Sequence, residues 1–162
     1  MWDLSSGAEL SVIAVAHARG VHSLSWSPDS RAIASAGGWD PYIKVWDAAT
    51  GALRDSFTDY NDMIEGVLAV CFAPNGQQVA SGSRDNSVRV WDTATGALTL
   101  LLAGHDGWVT CLAYAADGAL LVSGGADTTL RVWEASSGAL LRTLRLGAEA
   151  RCLGMGRNAE AD

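Results

Sequence analysis

The chain is predicted to be all-β, built from repeated units of four short antiparallel strands. Three observations carry this. One block is written three times: Ile43-Lys44-Val45-Trp46-Asp47 with Thr50-Gly51-Ala52-Leu53, then Val88-Arg89-Val90-Trp91-Asp92 with Thr95-Gly96-Ala97-Leu98, then Leu130-Arg131-Val132-Trp133-Glu134 with Ser137-Gly138-Ala139-Leu140. A worn copy, Trp2-Asp3 with Ser6-Gly7-Ala8-Glu9-Leu10, opens the chain, so the indoles recur at steps of 44, 45 and 42 residues. A period of this length marks an array in which each unit buries its apolar face against the next. Short β-type runs separated by polar turns fill the space between the blocks, and helical periodicity is absent.

Taken in order, the first unit predicts strands at 21–26, 32–35, 43–46 and 53–57, with Ser27-Pro28-Asp29-Ser30 as its first turn. In the second, strands are predicted at 67–72, 78–81, 88–91 and 97–102, turning at Pro74-Asn75-Gly76 and Arg84-Asp85-Asn86. The third runs through 109–114, 120–123, 130–133 and 139–144, with turns at Ala116-Asp117-Gly118 and Gly125-Ala126-Asp127-Thr128. Glycine at a hairpin tip supplies the positive φ that a tight reversal needs. A lone outer strand is expected near 8–15 and a lone inner strand near 149–155, fourteen strands in all, with a polar tail at 157–162.

These units resemble WD repeats, the blades of β-propellers, over nearly all of residues 2–155. The most specific feature is Gly104-His105 paired at the family's distance with Trp133-Glu134. The resemblance implies a buried network in each blade, in which a histidine before the inner strand, a Ser or Thr on the second strand, an aspartate in the next turn and the tryptophan of the third strand are hydrogen-bonded. Carried over residue by residue, it assigns His105, Ser123, Asp127 and Trp133 to the third unit and His17, Ser35, Asp40 and Trp46 to the first. The second supplies Ser81, Asp85 and Trp91, but Met63 stands where the histidine is expected. That network is therefore expected to be incomplete, weaker, or rerouted through Tyr60 or water.

On this reading residues 1–156 form a partial propeller of about three and a half blades, the full ones at 17–58, 59–102 and 103–145. A ring hides its sheet edges only when the last blade meets the first, and the smallest rings hold about four. The expectation is an incomplete ring, a segment of a longer propeller, that self-associates through its open edges.

Composition narrows the chemistry. The 162 residues are 49% hydrophobic, enough for an ordinary core, and carry a net charge of −7 with Lys44 the only lysine. Such a balance disfavours a phosphate backbone, so nucleic acid is not expected as a partner, and a basic or neutral protein is easier to reconcile. Cys71, Cys111 and Cys152 sit singly in apolar runs without C-x-x-C spacing, so they read as core thiols and no metal is expected. With no signal-type segment and no apolar run long enough to span a bilayer, an intracellular protein is expected, in cytoplasm or nucleus, with no membrane role.

No catalytic residue and no cofactor are predicted. His17 and His105 belong to the structural network, and nothing in the spacing joins His22 to a nucleophile such as Cys71. The glycine pairs Gly37-Gly38 and Gly124-Gly125 lack the spacing of a phosphate cradle. Four residues stay unexplained by the repeat: Trp39 and Arg84, each just before a network aspartate, and Asp106 and Trp108, flanking the start of the third unit's inner strand. In similar proteins these positions open onto one rim, and Trp and Arg dominate interface energetics. The expected function is thus a non-catalytic scaffold binding proteins or peptides through Trp39, Arg84, Asp106 and Trp108. The alternative is a regulatory or substrate-recruiting propeller of a larger enzyme, such as a ubiquitin ligase subunit, an NTPase or a kinase.

Overall fold

A computed structural model of the chain describes residues 1, 5–9, 12–13, 16–58 and 66–151. Twelve strands and no helix are found among these residues. They form three four-stranded antiparallel sheets, each ordered as its strands occur in sequence. Blade 1 holds β1 (Ser23–Trp26), β2 (Ala32–Ala36), β3 (Ile43–Asp47) and β4 (Leu53–Phe57). Blade 2 holds β5 (Val67–Phe72), β6 (Gln78–Ser83), β7 (Val88–Asp92) and β8 (Leu98–Leu102). Blade 3 holds β9 (Val109–Tyr114), β10 (Leu120–Gly125), β11 (Thr129–Glu134) and β12 (Leu140–Arg145). The all-β expectation and the three four-stranded units are borne out, and the array is not closed.

Local chemistry explains the strand ends. Asp47 and Asp92 each accept from the backbone N–H two and three residues on and from the hydroxyl of Thr50 or Thr95. The repeated Asp-x-x-Thr-Gly thus folds into an Asx-type turn that stops the third strand and starts the fourth. In all three blades the register of the third strand against the fourth slips between the valine and the tryptophan, at Val45/Trp46, Val90/Trp91 and Val132/Trp133. The recurring bulge re-aims each indole into the blade core.

Blades pack face to face through apolar residues. Ala32, Ala34, Ala36, Ile43, Val45 and Phe57 of blade 1 meet Val67, Val70, Phe72, Val79 and Trp91 of blade 2 in one buried cluster. Equivalent blade 2 residues (Ala69, Ala80, Val88, Val90 and Leu102) meet Val109, Leu112, Tyr114, Leu121 and Trp133 of blade 3 in another. Innermost strands lie alongside one another, β1 and β2 on β5, and β5 and β6 on β9. At the inner end the backbones of blades 1 and 2 bond directly, Gly38 N–H to Val67 O at 2.8 Å and Val67 N–H to Asp40 O at 3.1 Å. Gly66 makes this approach possible: its φ is +113°, and a Cβ there would lie 2.4 Å from the Gly38 carbonyl oxygen.

The expected lone strands at 8–15 and 149–155 fall largely outside the described residues, as do Trp2, Tyr60, Met63, Cys152 and the tail at 157–162. Their described fragments are not strands, save an isolated bridge at Glu9. Ile13 stands beside Gly51 where Phe57 stands beside Gly96 and Leu102 beside Gly138. Ala150 lies against Gly124 and Cys111, and its carbonyl oxygen accepts from the Thr110 hydroxyl.

Candidate functional site

Two blades contain a four-member polar chain. In blade 3 the Trp133 indole N–H donates to Ser123 Oγ at 2.8 Å, Ser123 Oγ is 2.7 Å from His105 Nε2, and His105 Nδ1 is 2.8 Å from Asp127 Oδ2. Blade 1 repeats this with Trp46, Ser35, His17 and Asp40 at 2.8 Å throughout. Because the indole can only donate, the serine hydroxyl is free to donate onward to Nε2, which places the ring proton on Nδ1 facing the carboxylate. Burial pushes His105 below its ordinary value, with Asp127 offsetting part of the shift, so a neutral ring suits this chain of donors. Burial would raise Asp127, but bonds from the Asp106 N–H, Thr129 and His105 hold it down at about 2.

Blade 2 is rewired as a unit. Trp91 still donates to Ser81 Oγ at 3.0 Å, but Asp85 is bonded by the Arg89 guanidinium at 2.6 Å and by the Ser87 hydroxyl. Asp85 is thus answered by Arg89 in place of a histidine, while Trp91 and Ser81 form a separate pair whose hydroxyl turns to the Arg89 carbonyl oxygen at 3.5 Å. A signal for the rewiring lies in the glycines. Two residues after the network serine, blades 1 and 3 carry Gly37 and Gly125, where a Cβ would lie 2.6 Å from His17 Nδ1 and 2.8 Å from His105 Nδ1. Blade 2 carries Ser83 at that position, and its hydroxyl donates to the Gly66 carbonyl at 3.1 Å.

At the inner end of the array the turns of all three blades converge. Trp39 projects from the β2–β3 turn, Arg84 from the β6–β7 turn and Trp108 from the residue before β9. The Arg84 guanidinium carbon lies 3.5 Å from the Trp39 ring centroid and 4.6 Å from that of Trp108, so the cation is stacked between two indoles. Arg19 approaches Trp39 at 6.0 Å. The two tryptophans remain 55% and 44% exposed, a rigid aromatic surface spanning three blades. Asp106 is exposed beside them, its N–H donating to Asp127 Oδ2 at 3.0 Å, which couples the rim loop to the blade 3 network. Next to the stack an open recess of about 490 Å³ is lined by His22, Leu68, Arg84, Trp108, Thr110 and Arg151 among others.

The histidines of the two networks have both ring nitrogens engaged. Among the described residues no three His, Cys, Asp or Glu side chains group closely enough to hold a metal ion, and no helix is long and apolar enough to cross a membrane.

Four-stranded sheets packed side by side, each centred on an indole bonded to a buried serine, define a WD-repeat propeller architecture. Residues 9–47, 59–92 and 96–134 match the family described as WD domain, G-beta repeat, and the chain belongs to that family. The stretch 96–134 contains β8 of blade 2 and β9 to β11 of blade 3, whereas 59–92 holds β5 to β7 of blade 2 alone. Among curated relatives, telomerase Cajal body protein 1 from Bos taurus and from Homo sapiens is 42% identical over 57 residues, 34% of this chain and 10% of those proteins. The Rattus norvegicus protein is 42% identical over 60 residues, 36% of this chain and 11% of that protein. The chain thus matches about a tenth of the length of these relatives.

Proposed function

We propose that this chain is a non-catalytic interaction platform that grips a protein or peptide partner through the Trp39–Arg84–Trp108 stack, with Asp106 at its border. The observation that carries this is the exposure of two large indoles fixed in place by a shared cation, at the point where three blades meet. Flat aromatic surface held rigid loses little entropy when covered, which is why such residues anchor interfaces. The networks of His17, Ser35, Asp40 and Trp46, of Ser81, Asp85 and Trp91, and of His105, Ser123, Asp127 and Trp133 serve the scaffold: they hold the blades, and the blades hold the rim. Single thiols in blade cores and relatives named for the Cajal body favour an intracellular setting, and their association with telomerase by name favours work within a larger assembly.

The test is the double substitution Trp39→Ala with Arg84→Ala, compared with the intact chain in affinity capture followed by mass spectrometry and in thermal melts. The bound set should disappear while the melting temperature stays put. Simultaneous loss of capture and of thermal stability would show that the stack caps the blades instead of meeting a partner.

A further inference from the structure

We infer that the rim recognises a carboxylate: an Asp or Glu side chain of the bound peptide is received by the edge of Arg84. This rests on the rim being the binding surface. The guanidinium is packed against the rings of Trp39 and Trp108, and its N–H groups are what a ligand would meet. That edge is unspent. Nε is buried without a hydrogen-bond partner, and among the described residues the Arg84 side chain makes no hydrogen bond or ion pair. Its backbone N–H is anchored separately on Gly66 O at 3.1 Å, so the side chain is positioned from a fixed stem.

Arg54, Arg89 and Arg151 bond carboxylates within the chain, Asp47 at 2.6 Å, Asp85 at 2.6 Å and Glu149 at 3.1 Å, and Arg131, whose Nε is orphaned as that of Arg84 is, does not line the recess. A desolvated, unpaired cation donor beside an open recess calls for an anionic acceptor, and a planar carboxylate matches the guanidinium fork with two parallel bonds. Local charge agrees. The recess beside Arg84 is lined by His22, Arg151 and one carboxylate, Glu149, which Arg151 already neutralises. Asp106 at the border of the rim is a negative charge that the pair with Arg84 must outweigh, and at physiological salt charges beyond about 8 Å are screened from this site. The indoles on either side would then cover the aliphatic stem of the acidic residue and shut water from the pair.

A random linear peptide library displayed on phage is selected against the full chain, with counter-selection against the Trp39→Ala/Trp108→Ala variant. Rim-dependent binders are expected to share one Asp or Glu. Changing that residue to Gln or Asn, or changing Arg84→Lys in the chain, should weaken binding at least tenfold, while melts of the Arg84→Lys chain confirm its fold. Rim-dependent binders that tolerate Gln would overturn the carboxylate inference and leave the rim reading intact. Tighter binding when phosphoserine replaces the acid would also overturn it, in favour of a phosphate. Failure to obtain any rim-dependent binder would overturn the rim reading itself.

Discussion

Trp133 and His105 touch the same serine but contribute to the blade in different ways. Trp133 fills the contact between blades 2 and 3 and is almost wholly buried, so truncating it to alanine removes packing worth about 3–5 kcal/mol. Replacing His105 by alanine leaves Ser123 and Asp127 short of a partner, a loss of about 1–3 kcal/mol. Trp133→Ala should therefore melt at a lower temperature than His105→Ala, and thermal unfolding of the two variants ranks them directly. The opposite order would mean that the polar chain outweighs packing. Blade 1 duplicates the polar bonds at Trp46 and His17, but Trp46 lies outside both core clusters, so a smaller gap between the two substitutions is expected there.

Within a blade the polar chain joins β10, β11 and the segment before β9, and it makes the element sensitive to acid. His105 is held below its usual 6.5 by burial, so on acidification the unfolded chain takes up this proton before the folded one does. The stability it contributes is complete above pH 6.5 and declines as pH falls below that value. Asp127, held at about 2, adds a second loss between pH 3.8 and about 2. Urea midpoints should fall from pH 8 to pH 5, and the fall should be smaller in a His105→Asn chain; a midpoint that rises on acidification would contradict this. Blade 2 has no such histidine among its described residues and ties Asp85 to Arg89 instead.

At the level of the whole molecule the first blade differs from the other two. Leu24 and Trp26 of β1 are 64% and 52% exposed, whereas their counterparts Val70 and Phe72, and Leu112 and Tyr114, are buried against a preceding blade. An uncovered apolar sheet face of this kind is a site of association. The chain is expected to run larger than its 16.9 kDa in size-exclusion chromatography with light scattering, and Leu24→Lys with Trp26→Lys should shift it towards the monomer. A monomer peak for the unaltered chain at the same concentration would refute this.

Period and strand positions are legible in the residues alone, because a strand's apolar run and its turn residues are local and the block recurs three times. The bulge before each tryptophan is not, since Val-Trp looks the same in a regular strand; the slip shows only in pairing with the fourth strand. Blade 2 is half-legible. The missing histidine stands out, but that Arg89 answers Asp85 depends on a side chain of β7 reaching back to one in the turn before it. Trp39, Arg84 and Trp108 stand out as residues that the repeat does not need. Their stacking does not, because they lie 24 to 69 positions apart and meet only once three blades are packed.

The sequence by itself determined the all-β class, the repeating four-stranded unit and the family, since short-range periodicity and turn chemistry specify each blade from within. Tertiary structure alone decided which side chains share a surface: the cation clamped between two indoles and the apolar face left open at β1. The first arises where separate blades come to rest against one another and the second where no blade does, and contacts between distant segments are set by packing geometry that no local pattern encodes.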